Sequence, residues 1–315
     1  MMPSTSNRKS AYIKGFTRRV RIAAFAGSAC LLALAGCESV APAVPGAPAA
    51  SATVETLDPF YSKQIEADGI PIVGSERVSD EALAVAQRIV DQMLSHRPDL
   101  ARWLVANRYR VAIMAESETT TDLPEQAHWK KPSRDDPRLT RCERKLYDER
   151  IGALTDRQYW DQRARGMAGV LTSGAQEDLL GKRNSRYWGE TIFVHEFSHN
   201  VLSAIRAVDP KLARQVDAAY AHALAAGLWK DEYASTTVDE YWAEGSQFWF
   251  DSNRLAVFDG RRILNHADLA AYDPQLYAVL GQAYGNNHQL RGDPFWMSAA
   301  RVPPGPIPDN TAEVC

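Results

Sequence analysis

The sequence predicts an α+β domain with its helices concentrated in the second half. Three observations carry this. Amphipathic stretches at helical spacing follow one another from about Gly189 onward, each bounded by Pro, Gly or a capping residue. The first half holds an apolar run of strand character, Val111-Ala112-Ile113-Met114. Beyond the N-terminal segments there is no internal repeat and no second block of independent composition.

The chain opens with an export signal, residues 1–36. Arg18, Arg19 and Arg21 supply a positive start, and Ile22–Leu34 is an apolar run too short to span a bilayer comfortably. Leu34-Ala35-Gly36-Cys37 closes it and resembles the lipobox of bacterial lipoproteins. That resemblance implies that Cys37 becomes the acylated first residue of the mature chain. It places the rest in the bacterial cell envelope, anchored by lipid such as palmitate. Glu38, rather than Asp, implies sorting to the outer membrane, facing the periplasm. Residues 37–56, rich in Ala, Pro, Gly, Ser and Val, form a flexible tether, and residues 57–315 form one catalytic domain.

With Cys30 lost and Cys37 acylated, Cys142 and Cys315 are left as a disulfide pair for an oxidising compartment. The formal charge of −3 becomes more negative once the arginine-rich leader is gone, so nothing points to nucleic acid.

Within the mature chain, Ser79 caps a helix through about Ser95, with Leu83, Val85, Ala86, Ile89, Val90, Met93 and Leu94 as its apolar stripe. At least the second half of Trp103–Ala115 is a strand. Glu118–Arg141, broken by Pro124, Pro132 and Pro137, is a long surface excursion, and Gly166, Gly169 and Gly174 punctuate another loop-rich stretch. Four helices follow: about Gly189–Ala207, Pro210–Ala226 with Gly227 as its stop, Thr237–Phe250, and Pro274–Tyr284.

The first of these helices carries His195-Glu196-Phe197-Ser198-His199. Residues four apart share one helical face, so both imidazoles can reach one zinc ion, with Glu196 beside it to hold a water. Two histidines in ordinary roles would also fit a five-residue match. The third helix carries Asp239-Glu240-Tyr241-Trp242-Ala243-Glu244, with two acids four apart. A catalytic zinc takes three protein ligands and one open position. Glu240 or Glu244 can be the third ligand, the other orienting a ligating histidine from outside; Asp239 is a weaker competitor.

This pair of helices resembles the gluzincin class of metallopeptidases, and within it the catalytic domain of anthrax lethal factor. The likeness rests on His-Glu-Phe-small-His and on the acid–aromatic–aromatic–Ala–Glu segment at Glu240–Glu244. It covers about Val194 to Phe250, under a fifth of the chain. The resemblance implies a zincin-like fold with an active-site helix and a second, glutamate-bearing helix. It also implies His195, His199 and Glu240 as zinc ligands and Glu244 in support of a histidine. Tyr233, seven residues before Glu240, matches a tyrosine that faces the reacting carbonyl in that class.

The function so implied is zinc-dependent hydrolysis of a peptide or protein substrate, by an endopeptidase in which Glu196 is the general base for a zinc-activated water. The alternative is a non-catalytic envelope lipoprotein that keeps the fold as a binding or scaffolding module. His222, His266 and His288 have no partner at motif spacing, and Trp188 and Trp242 read as packing anchors.

Overall fold

The structure is a computed structural model, and it describes residues 57–305 and 307 apart from 138, 140 and 259. The expected signal and tether, including Cys37, lie outside the described residues, as does Cys315. Cys142 is disulfide-bonded.

The first half builds a four-stranded sheet. Strands β1 (Lys63–Ala67) and β2 (Ile70–Gly74) form an antiparallel hairpin. Asp68 and Gly69 at its turn have φ of 47° and 81°, the doubly positive pair that a two-residue turn needs to match strand twist. Helix α1 (Asp80–Leu94) follows, with Ser79 Oγ accepting from the Ala82 amide at 3.2 Å, and then α2 (Pro98–Ala106). Pro98 starts α2 where its missing N–H costs nothing. The part of Trp103–Ala115 expected to include a strand therefore divides, and β3 is its second half, Arg110–Met114.

Within β3, Val111 to Met114 are all buried, as befits a central strand covered on both faces. It pairs in parallel with β2 on one side and with β4 (Leu171–Ala175) on the other, giving the order β1-β2-β3-β4. Between them lie α3 (Arg141–Lys145) and α4 (Asp156–Arg163). The surface excursion after Glu118 is less solvated than its composition suggests. Glu118, Thr120 and Thr121 are buried, with Ser75 Oγ donating to Glu118 at 2.5 Å and the Ala115 amide at 2.7 Å.

The second half is helical. After the short α5 (Gln176–Leu179) come α6 (Ile192–Val208), α7 (Pro210–Ala225) and α8 (Val238–Trp249). A small hairpin, β5 (Ala256–Phe258) and β6 (Arg261–Ile263), precedes α9 (His266–Tyr272) and α10 (Pro274–Tyr284). Helix α6 starts close against β4: a Cβ on Gly174 would meet Phe193 Cδ2 at 2.9 Å, so only glycine lets the two elements approach this far. The main core runs from α1 and the sheet through α6 to the aromatic side chains of α8 and α10. No helix among the described residues is long and apolar enough to cross a membrane.

Candidate metal centre

Helix α6 is apolar on most of its surface, with Phe193, Val194, Phe197, Val201, Leu202 and Ile205 buried. His195, Glu196 and His199 occupy the remaining strip and line a cleft of about 660 Å³. Helix α8 crosses beside them, started by Thr237, whose hydroxyl accepts from the Glu240 amide at 3.1 Å. The two helices are braced by Trp242, whose indole Nε1 donates to the Ser198 carbonyl at 3.0 Å. Trp242 is thus the packing anchor the sequence suggests, and also a polar strut.

This crossing gathers three donor groups. Glu240 Oε2 lies 2.9 Å from His195 Nε2 and 3.7 Å from His199 Nε2. One ligand atom from each of His195, His199 and Glu240 falls within 4.8 Å of the others, forming the metal-capable cluster among the described residues. A tetrahedral zinc with ~2.0–2.1 Å bonds holds its ligand atoms ~3.3 Å apart. The two measured separations bracket that spacing, and two imidazoles with one carboxylate are a donor set suited to zinc.

The other predicted residues stand around this cluster. Glu196 lines the same cleft and receives a backbone hydrogen bond from Ala168. Tyr233 sits in a short 3₁₀ turn before α8, its hydroxyl donating to Glu240 Oε1 at 3.0 Å. Glu244 lies on the outer side of His195, 3.5 Å from Nδ1, and accepts from Asn253 Nδ2 at 2.9 Å. Asp239 points elsewhere, into a two-pronged ion pair with Arg206 at 2.7 and 3.0 Å.

Electrostatics in the cleft follow from burial and close charges. Burial disfavours a cation on His195, yet its hydrogen bonds to Glu240 and Glu244 hold it well above the usual histidine range. His199 is driven the other way, to about 4, by burial first and then by the neighbouring His195. Burial pushes Glu196 up to about 7, against the pull of His195. For Glu240 burial works upward, but His195, His199 and Tyr233 together keep it below the ordinary carboxylate value. Tyr233 is raised by desolvation and then by the Glu240 carboxylate.

Three contributors lie outside the sequence motif. Gln247 Oε1 is 3.2 Å from His195 Nδ1, nearer than Glu244, while Gln247 Nε2 donates to the Thr191 carbonyl at 3.3 Å. Its position one turn beyond Glu244, give or take a residue, was the available signal. The strip Ala164–Gly169 forms the opposite wall. Arg165 pins it by donating to Glu177 at 2.7 Å and to the Ala115 carbonyl at 3.2 Å, and Met167 pairs by its backbone with Ser173 on β4. Tyr187 lines the cleft and accepts from the Arg165 amide at 3.5 Å. Nothing in the local sequence of either segment marks it as part of a site.

No family model matches this chain, and no curated protein does. Among solved structures, it is similar to the PRO-PRO endopeptidase (PPEP-2) from Paenibacillus alvei, with a TM-score of 0.40 and 17% identity over 67% of this chain and 96% of that one. That likeness is too loose to bring a substrate or an activity to this chain.

Proposed function

We propose that the chain is a zinc-dependent endopeptidase. The observation that carries this reading is the convergence of His195, His199 and Glu240 within 4.8 Å, from two helices. They meet in a cleft that also holds Glu196.

In this reading His195, His199 and Glu240 would hold the ion, and zinc bound there would supply Lewis acidity and a more acidic water. Glu196 accepts the proton of the attacking water and returns it to the amine nitrogen as the peptide bond breaks. The amide of Ala168 holds the Glu196 carboxylate in place. Tyr233 swings its hydroxyl from Glu240 to the substrate carbonyl oxygen, where negative charge develops. Gln247 and Glu244 accept from the outer nitrogen of His195 and fix its ring.

The test is Glu196→Gln, an almost isosteric change that leaves the three donor groups untouched. It is expected to keep one equivalent of zinc by elemental analysis and to lose about 10²–10⁴-fold in peptide cleavage. A Glu196→Gln protein that cleaves as fast as the parent would exclude this role.

The envelope location belongs to the same proposal: Cys37 carries the lipid, and the domain works at the membrane face it is tethered to. Cells fed an alkyne fatty acid should label the parent chain and not Cys37→Ala.

A further inference from the structure

Met167 lines more than the cleft. Two further recesses, of about 140 and 430 Å³, share Trp160 and Met167 as walls, and Met167 and Arg163 also line the cleft itself. Met167 therefore borders all three spaces. Much of the wall beyond it is aromatic: Trp129 and Trp160 meet edge-on at 4.7 Å between ring centroids, and Tyr159 packs on Trp160 at 5.0 Å, while His128 and Lys130 complete the larger recess.

The pairing of its charges indicates what this space accepts. Arg163 is engaged by Glu143 at 2.5 Å and Lys130 by Asp156 at 2.9 Å, so neither cation is left open for an acidic group. An aromatic wall beside charges that are already paired suits a bulky apolar side chain on a polypeptide.

We propose that this aromatic recess is a specificity subsite for a bulky apolar side chain, aromatic or long aliphatic, of the polypeptide lying in the cleft. The inference rests on the endopeptidase reading for the identity of the occupant. Adjacency is what selects the substrate over an independent partner, because the recesses share Met167, and the smaller one also Arg163, with the cleft. The flexible thioether of Met167 can move aside as the chain enters.

The test separates binding from cleavage. Zinc-loaded Glu196→Gln protein is titrated with fluorescent peptides that differ only in carrying Phe, Leu, Ala or Glu at one position, scanned along the peptide. At one position Phe and Leu should bind at least about tenfold tighter than Ala. Adding Met167→Glu, which keeps the backbone pairing with Ser173, should reduce that ratio to near one, with zinc content and circular dichroism unchanged. Trp160→Ala should do the same if it folds.

In parallel, cleavage sites of the otherwise unaltered enzyme in a digested protein mixture are mapped by mass spectrometry, with and without Met167→Glu. Cleavage indifferent to apolar residues, or a preference untouched by Met167→Glu, overturns the subsite. An apolar binding preference that Met167→Glu abolishes, in a protein that cleaves nothing, sinks the peptidase reading and leaves the subsite standing.

Discussion

Gln247 Oε1 lies 3.2 Å from His195 Nδ1, and its amide nitrogen is occupied by the Thr191 carbonyl. That second bond fixes which end of the amide faces the histidine. The oxygen accepts, so Nδ1 carries a proton, while Nε2, 2.9 Å from Glu240 Oε2, shares another with that carboxylate. Under the proposed zinc reading Nε2 would give up its proton to the ion, and Gln247, seven residues past Glu240, would keep Nδ1–H and the ring oriented.

Gln247→Ala should therefore weaken zinc binding by about 10–100-fold, read by competition with a chromogenic chelator. Gln247→Glu, which retains an acceptor, should recover most of the affinity. Equal affinity in Gln247→Ala and the parent would show that Glu244 alone orients the ring.

Tyr233→Phe removes the hydroxyl that donates to Glu240 and keeps the ring stacked near His195, 6.2 Å between centroids. Zinc content should be preserved while kcat falls by about 10²–10³-fold, the scale of one lost oxyanion donor. A rise in KM alone would assign Tyr233 to substrate binding instead.

Gly245 faces α10, where an added Cβ would meet Leu276 Cδ2 at 2.6 Å and Cγ at 3.0 Å. Alanine gains about 1 kcal/mol of helix propensity. Overpacking a buried leucine costs about 1–3 kcal/mol. The second effect wins where the neighbour is fully buried, as Leu276 is. Gly245→Ala is expected to lower the Tm by a few degrees in calorimetry; an increase would mean that α10 yields freely.

Glu125 ties the first strands to the long loop, accepting from Tyr61 Oη and Arg110 Nη2, both at 2.5 Å. Burial raises its pKa, but these two bonds outweigh burial and hold it below the usual value. A depressed carboxylate contributes stability that is complete above its unfolded pKa, about 4.3. That contribution is lost as pH falls through the lower, folded pKa. The urea midpoints of the parent and Glu125→Gln should therefore differ at pH 7 and converge as the solution is acidified below that range. A constant difference would remove ionisation from the account.

Much of the helical structure was legible in the sequence. Ser79, Pro210, Thr237 and Pro274 start their helices where capping chemistry and fixed φ put them. The His-Glu-x-x-His strip and Glu240 could be placed on two helices because a period near four is robust. The sheet was harder to see. Lys63–Ala67 and Leu171–Ala175 are five-residue strands; the first alternates in burial but carries only Ile65 and Ala67 as apolar residues, and the second, holding Gly174, is buried along most of its length without alternation. Asp68-Gly69 was the available hairpin signal between β1 and β2. The wall formed by Ala164–Gly169 was illegible for a different reason: its place depends on Arg165 reaching Glu177 and Ala115, contacts that no local pattern encodes. Asp239, weighed as a ligand, turned on a partner on α6, Arg206.

The indole of Trp242, clamped to the Ser198 carbonyl, makes α6 and α8 one mechanical piece. Because this rivet sits in the framework and not among the chemical groups, the groove keeps its shape when a reacting side chain is blunted. Under the proposed reading, Glu196→Gln is thereby a faithful cast of the parent protein, suited to capturing a bound polypeptide.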